Sequence, residues 1–176
     1  MRILCIFVAW VFCAVAAVAE TDIQEITSKG GIKVWLVDEP SIPFIALEVA
    51  FKGGASLDAA GKRGASNLMV ALLEEGAADL DARDFAKASE SIAAQFNYSI
   101  NDDALQVSAR FLTETQDEAM ALLKKSLTEP RFDADAIERV RQQVLSGLRS
   151  DEKDPDAIAS QTWDRMVFGD HPYGSD

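Results

Sequence analysis

Residues able to bind a transition metal are scarce in this sequence, which has one histidine, His171, and two cysteines, Cys5 and Cys13, among 176 residues. A metal centre rich in thiolate or imidazole is thereby excluded, since such centres draw several Cys or His donors to one ion. Proline is sparse, at 5 residues, and hydrophobic residues at 48% outweigh charged ones at 26%, so the composition is that of a folded domain with a real core. Basic residues are in deficit, 17 Lys and Arg against 29 Asp and Glu, for a net charge of −12. That balance argues against nucleic acid and anionic membranes as partners, because both need a dense Lys/Arg surface.

Long apolar runs are absent except at the start. After Met1 and Arg2, residues Ile3 to Ala19 carry no charge, and Ala17-Val18-Ala19 forms a small-x-small cleavage pattern before Glu20. Residues 1–19 read as a cleaved secretory signal peptide, and residues 20–176 as one domain. The alternative is an uncleaved anchor, since the run approaches the roughly 18 to 20 apolar residues that span a bilayer. Both cysteines fall inside the leader, so the exported chain has no disulfide and rests on packing alone. Periplasmic or secreted localisation follows, with no membrane attachment after cleavage.

What is present is patterned. Ile32, Val34 and Leu36 alternate, as do Ile45, Leu47, Val49 and Phe51, which predicts two adjacent strands joined by a turn containing Pro40 and Pro43. A glycine-bounded loop, Gly53 to Gly64, leads into a helix over Ala65 to Glu75 that Gly76 stops. Asp81 caps a second helix, Ala82 to Ala94. Phe96, Tyr98 and Ile100, then Leu105, Val107, Ala109 and Phe111, alternate with polar residues around Asn101-Asp102-Asp103, predicting a hairpin with one polar face. Thr115 and Glu118 have capping-box spacing before a helix that Pro130 ends. Asp133 opens a helix to about Glu152, buried through Ile137, Val140, Val144 and Leu148, and Asp154-Pro155 starts another, buried through Ile158, Trp163 and Val167. The fold class is α+β, two-layered, with a mainly antiparallel sheet and helices on one face.

Five segments then coincide in order: Phe51-Lys52-Gly53-Gly54-Ala55-Ser56-Leu57-Asp58, Gly61-Lys62-Arg63-Gly64-Ala65, Leu72-Leu73-Glu74-Glu75-Gly76, Pro130-Arg131-Phe132 and His171-Pro172-Tyr173-Gly174. Together they resemble the N-terminal domain of the insulinase/pitrilysin family of zinc metallopeptidases, which includes mitochondrial processing peptidase, from about Ile23 to Gly174. The resemblance implies the pitrilysin-like metallohydrolase fold. It also implies a chain shorter than its relatives, lacking their second domain.

Active members carry HxxEH on the helix after the glycine loop and a further Glu on a later helix. Residues i and i+4 share a helix face, so two imidazoles reach one zinc, and the Glu between them activates the bound water. Laid on this chain, the first His position holds Asn67, the base Val70 and the second His Ala71, while the distal Glu falls, to within one position, at Gly147. No catalytic residue, metal ligand or zinc cofactor is therefore expected. Glu74, with Asn67, makes at best a poor cation pair, and it reads more simply as the charged end of a helix. Gly147 either lets helices approach closely or marks a lost ligand. His171 reads as part of a surface turn.

The resemblance implies an exported, non-catalytic homologue that pairs as a hetero-oligomer with an active zinc-peptidase homologue. In active relatives an extended peptide adds as a strand to the edge that corresponds here to Phe96-Asn97-Tyr98-Ser99. The alternatives are an ordinary hairpin strand, an active zinc endopeptidase with unrecognised ligands, and a periplasmic binding or assembly module without a peptidase partner.

Overall fold

A computed structural model describes residues 22–174 of the chain. The expected leader lies outside these residues. The protein divides into two units, one ending at Ile42 and one beginning at Pro43.

In the first unit, β1 (Ile23–Thr27) and β2 (Lys33–Val37) form an antiparallel hairpin with Ile23 opposite Val37 and Thr27 opposite Lys33. Residues directly opposite share a face. One face therefore carries Ile23, Trp35 and Val37, and the other Ile26, Val34 and Leu36, all exposed, with Trp35 at 79%. This pairing corrects the expected one. β2 and the next strand flank the Pro40/Pro43 connection, but they belong to different sheets, and the β1 partner of β2 went unread. Gln24 and Glu25 between Ile23 and Ile26 break the period-2 signal that would have revealed β1.

The second unit is built on a three-stranded antiparallel sheet in the order β3 (Phe44–Lys52), β7 (Ala104–Leu112), β6 (Gln95–Ile100). Val107 of β7 faces Val49 on one side and Tyr98 on the other, and Phe111 faces Ile45. This register puts every apolar residue of the alternating pattern on one face, where Val107, Ala109 and Phe111 pack against Ala119 and Leu123 of helix α3 (Gln116–Thr128). Glu48, Asn97, Gln106 and Arg110 stay exposed on the other face. The fold is α+β in two layers, with helices on the apolar face.

Helix α1 (Ala65–Ala71) is shorter than expected. It stops at Leu72, turns carry the chain to Glu75, and Gly76 enters a small hairpin, β4 (Gly76–Ala77) with β5 (Leu80–Asp81). Gly76 has φ 122 and a Cβ there would lie 2.8 Å from the Leu80 carbonyl oxygen, so this glycine serves a tight turn rather than a helix end. Helix α2 (Ala82–Ser91) starts as predicted, with Asp81 accepting from the Asp84 amide at 2.9 Å. The Thr115 capping box does not form. Thr115 Oγ1 donates instead to the Ile92 carbonyl at 2.9 Å, tying the start of α3 to the end of α2.

Helix α4 (Ala134–Asp151) and helix α5 (Pro155–Phe168) bury less than their patterns suggested. Ala136 and Val140 pack on Leu72 and Leu68, but Val144 and Leu148 are exposed, because α1 is short and covers only the first turns of α4. Ile158, Trp163 and Val167 of α5 are exposed too, and the helix turns Ala157, Gln161 and Asp164 inward. Among the described residues no helix is long and apolar enough to cross a membrane.

Candidate functional site

The region of interest begins in the glycine-bounded loop. The N-cap of α1 is Gly64 at φ 87, which has no side chain to satisfy the first amides of the helix. Asp58 does so from outside: one carboxylate oxygen accepts from the Gly64 amide at 2.8 Å and the other from the Ser66 amide at 3.1 Å. These bonds, led by the one from the Ser66 hydroxyl, hold the Asp58 carboxyl below its ordinary value.

On α1 the positions that the resemblance sets against HxxEH separate by environment. Asn67 and Ala71, one turn apart, are exposed, and Val70 is buried at 4%. Gly147 lies on α4 about two turns beyond Val140, the last α4 residue packed on α1, and a Cβ added to it meets nothing within 4 Å. Close helix approach is therefore not the reason for this glycine. Helix α1, which carries Asn67, Val70 and Ala71, packs beside β6, the predicted docking strand. Zinc does not fit this donor set, which offers an amide, two apolar side chains and a glycine. Among the described residues no three His, Cys, Asp or Glu side chains converge.

Two polar residues lie between the helices and β6. Ser126, fully buried on α3, donates to the Leu123 carbonyl at 2.8 Å, so its remaining capacity is to accept, and the Tyr98 hydroxyl donates to it. Desolvation, helped by the Glu74 carboxylate, pushes the Tyr98 phenol up and keeps that proton in place. Sequence reading missed Ser126; the available signal was a hydroxyl among Leu122, Leu123 and Leu127 on an apolar helix face. Glu74 follows α1 and has no hydrogen-bond or ion-pair partner among the described residues, whereas Glu75 pairs with Arg139 at 2.7 Å. Crowding by protein atoms, then the Glu75 charge, raises the Glu74 carboxyl although much of its surface meets solvent.

A raised acid binds its proton more tightly folded than unfolded, so its contribution is most favourable below the ordinary Glu value near 4.3 and is lost as pH climbs through the raised value. Glu74→Gln is accordingly expected to stabilise the protein at neutral pH by less than about 1 kcal/mol, given the exposure, and to leave it unchanged at acid pH. Urea melts at the two pH values measure this, and an equal effect at both would show that the charge is not the cause.

Strand β6 is an edge. Phe96, Tyr98 and Ile100 turn half-buried toward the core and Gln95, Asn97 and Ser99 face solvent. The Asn101 amide donates to the Ala104 carbonyl at 3.0 Å, which sets the phase of the ladder with β7. By antiparallel alternation Ser99, Asn97 and Gln95 aim their N–H and C=O groups at β7, and Ile100, Tyr98 and Phe96 aim theirs away from it. No strand pairs with that second edge among the described residues. The stretch Gln-Phe-Asn-Tyr-Ser-Ile has no charge and no proline, the usual means of blunting an edge.

An α+β domain in which a helix after a glycine-bounded loop stands beside an edge strand defines the class of fold to which this chain is compared. The chain belongs to the insulinase family (peptidase family M16), whose pattern matches residues 33–175. It is 32% identical over 162 residues to the non-peptidase homolog YmxG of Helicobacter pylori, a match covering 92% of this chain and 37% of that protein. The crystal structure of a peptidase M16 inactive domain from Pseudomonas fluorescens is similar with TM-score 0.82 at 28% identity, covering 88% of this chain and 38% of that one. A protease from Helicobacter pylori shares the fold at TM-score 0.75 and 20% identity, again over 88% and 38% of the two chains. The chain thus spans under two-fifths of the length of these relatives.

Proposed function

We propose that this protein is a non-catalytic member of the insulinase family, exported to the periplasm, which holds extended peptides on the free edge of β6 and acts in a hetero-oligomer with an active zinc-peptidase homologue. The open, uncharged edge at Phe96, Asn97, Tyr98 and Ser99 carries this reading, because an added strand needs unpaired backbone groups and alternate side-chain positions beside them. The non-peptidase and inactive relatives support the loss of chemistry. The charge-free run before Glu20 supports export. The apolar face that α5 turns outward supports a protein partner.

Backbone addition makes a residue-by-residue prediction. With a synthetic library of short extended peptides added, amide exchange followed by NMR is expected to slow at Phe96, Tyr98 and Ile100 and to stay unchanged at Asn97 and Ser99, whose amides already serve β7. Uniform change along β6, or none, would remove the edge as the docking site.

A further inference from the structure

Helix α5 poses a problem of attachment. It buries no residue, and Trp163 and Met166 are 66% and 80% exposed. A helix with its apolar side outward gains little hydrophobic stabilisation from the fold it lies on. The turn that follows it, Pro172–Gly174, does bury a residue, Gly174.

Arg63, in the glycine-bounded loop, reaches that turn. One guanidinium nitrogen donates to the Pro172 carbonyl at 2.8 Å and to Asp102 Oδ1 at 3.3 Å, and another donates to the Ala55 carbonyl. One planar side chain thereby joins the 3-10 turn Ala55–Leu57, the tip of the β6–β7 hairpin and the end of α5. Beside it the Tyr173 hydroxyl donates to Asp103, the neighbouring residue of the same tip. The Tyr173 ring meets the rings of His171 and Phe168 edge-on at 4.6 and 5.5 Å between centroids, which stiffens the turn as a unit.

We propose that Arg63 and Tyr173 form a clasp on the Asp102-Asp103 hairpin tip, and that this clasp, rather than burial, fixes where the α5 arm and its apolar face point. Arg63 and Tyr173 are positioning residues in this device. With the clasp open, the segment from Pro155 to Gly174 leaves as one body while the sheet and α3 remain intact. The clasp does not depend on peptide binding to β6, so the two readings stand or fall separately.

Hydrogen exchange read by mass spectrometry on the full chain tests this, comparing wild type with Arg63→Met, Tyr173→Phe and the double variant. Each single variant is expected to raise exchange in 155–174 about tenfold with β7 and α3 unchanged. The double variant should add little, because either change opens the same clasp. At 1 M salt, where the Debye length is about 3 Å, wild type should move toward the variants. Unchanged exchange in 155–174 would overturn the proposal, as would loosening spread equally over β7 and α3, which would mean general destabilisation. Should Arg63→Met fail to fold, Tyr173→Phe, which removes only a hydroxyl, is decided by the same two criteria.

Discussion

Gly54→Ala is expected to destabilise the protein by about 3 kcal/mol or more, and Gly147→Ala to stabilise it by about 0.5 to 1 kcal/mol. The same methyl group has opposite signs because its surroundings differ. At Gly54 φ is −115, outside the left-handed region, and the main cost is steric. The new Cβ would stand 1.9 Å from the Asn101 carbonyl oxygen and 2.7 Å from the Ala104 nitrogen, atoms of the hairpin that the neighbouring Ala55 amide binds at 2.9 Å. Backbone held by a ladder does not yield as a flexible side-chain tip does, so the loop and the hairpin must part. At Gly147 the Cβ enters open space in a helix interior, where glycine costs backbone entropy and nothing else is disturbed. Denaturant melts of both variants check the pair. A tolerated Gly54→Ala would mean that the loop does not lie against the hairpin tip.

Val70→Glu, which places a carboxylate where the resemblance sets the catalytic base, is expected to cost about 3 kcal/mol or more, while Asn67→His and Ala71→His each cost less than about 1 kcal/mol. Val70 is buried at 4%, and a carboxylate there loses water with no cation to replace it. Asn67 and Ala71 are exposed, and a histidine at either position has room. If melts show all three changes to be mild, the position has kept a polar cavity and has not become packing. The variant joining these three with Gly147→Glu reads the correspondence itself. Once folded it should bind zinc measurably by calorimetry, and a folded variant that binds none would mean that the four positions do not converge.

Much of the second unit was legible because its signals are local. Period-2 alternation in 95–100 and 105–111 allowed only one face to be buried, and the apolar residues of these stretches were all on it. Asp81 and Asp154 sit immediately before helices, where a carboxylate can reach the first amides, and both do so. Asp133 occupies the same position but pairs with Arg131 at 2.7 Å, an interaction visible only once the chain is folded. Thr115 was misread for a like reason: its hydroxyl had a second acceptor, Ile92, distant in sequence and near in space. The candidate site divided similarly. Asn67, Val70, Ala71 and Gly147 could be named from the family motif, but not the Tyr98–Ser126 bond, nor the meeting of Arg63 with Pro172 across more than a hundred residues.

The sequence by itself determined which donors its residues can offer to a metal. Metal ligation depends on residue type, and with one histidine and no cysteine beyond Cys13, folding cannot supply the missing imidazoles. It also determined where most helices and the strands of the central sheet begin, because caps and alternation act within a few residues. Tertiary structure alone decided which of those elements are covered. A helical apolar face states only that burial would be favourable, and whether it occurs depends on a neighbour long enough to reach it. Seven-residue α1 reaches Val140 and leaves Val144 and Leu148 exposed, and no described element covers Trp163.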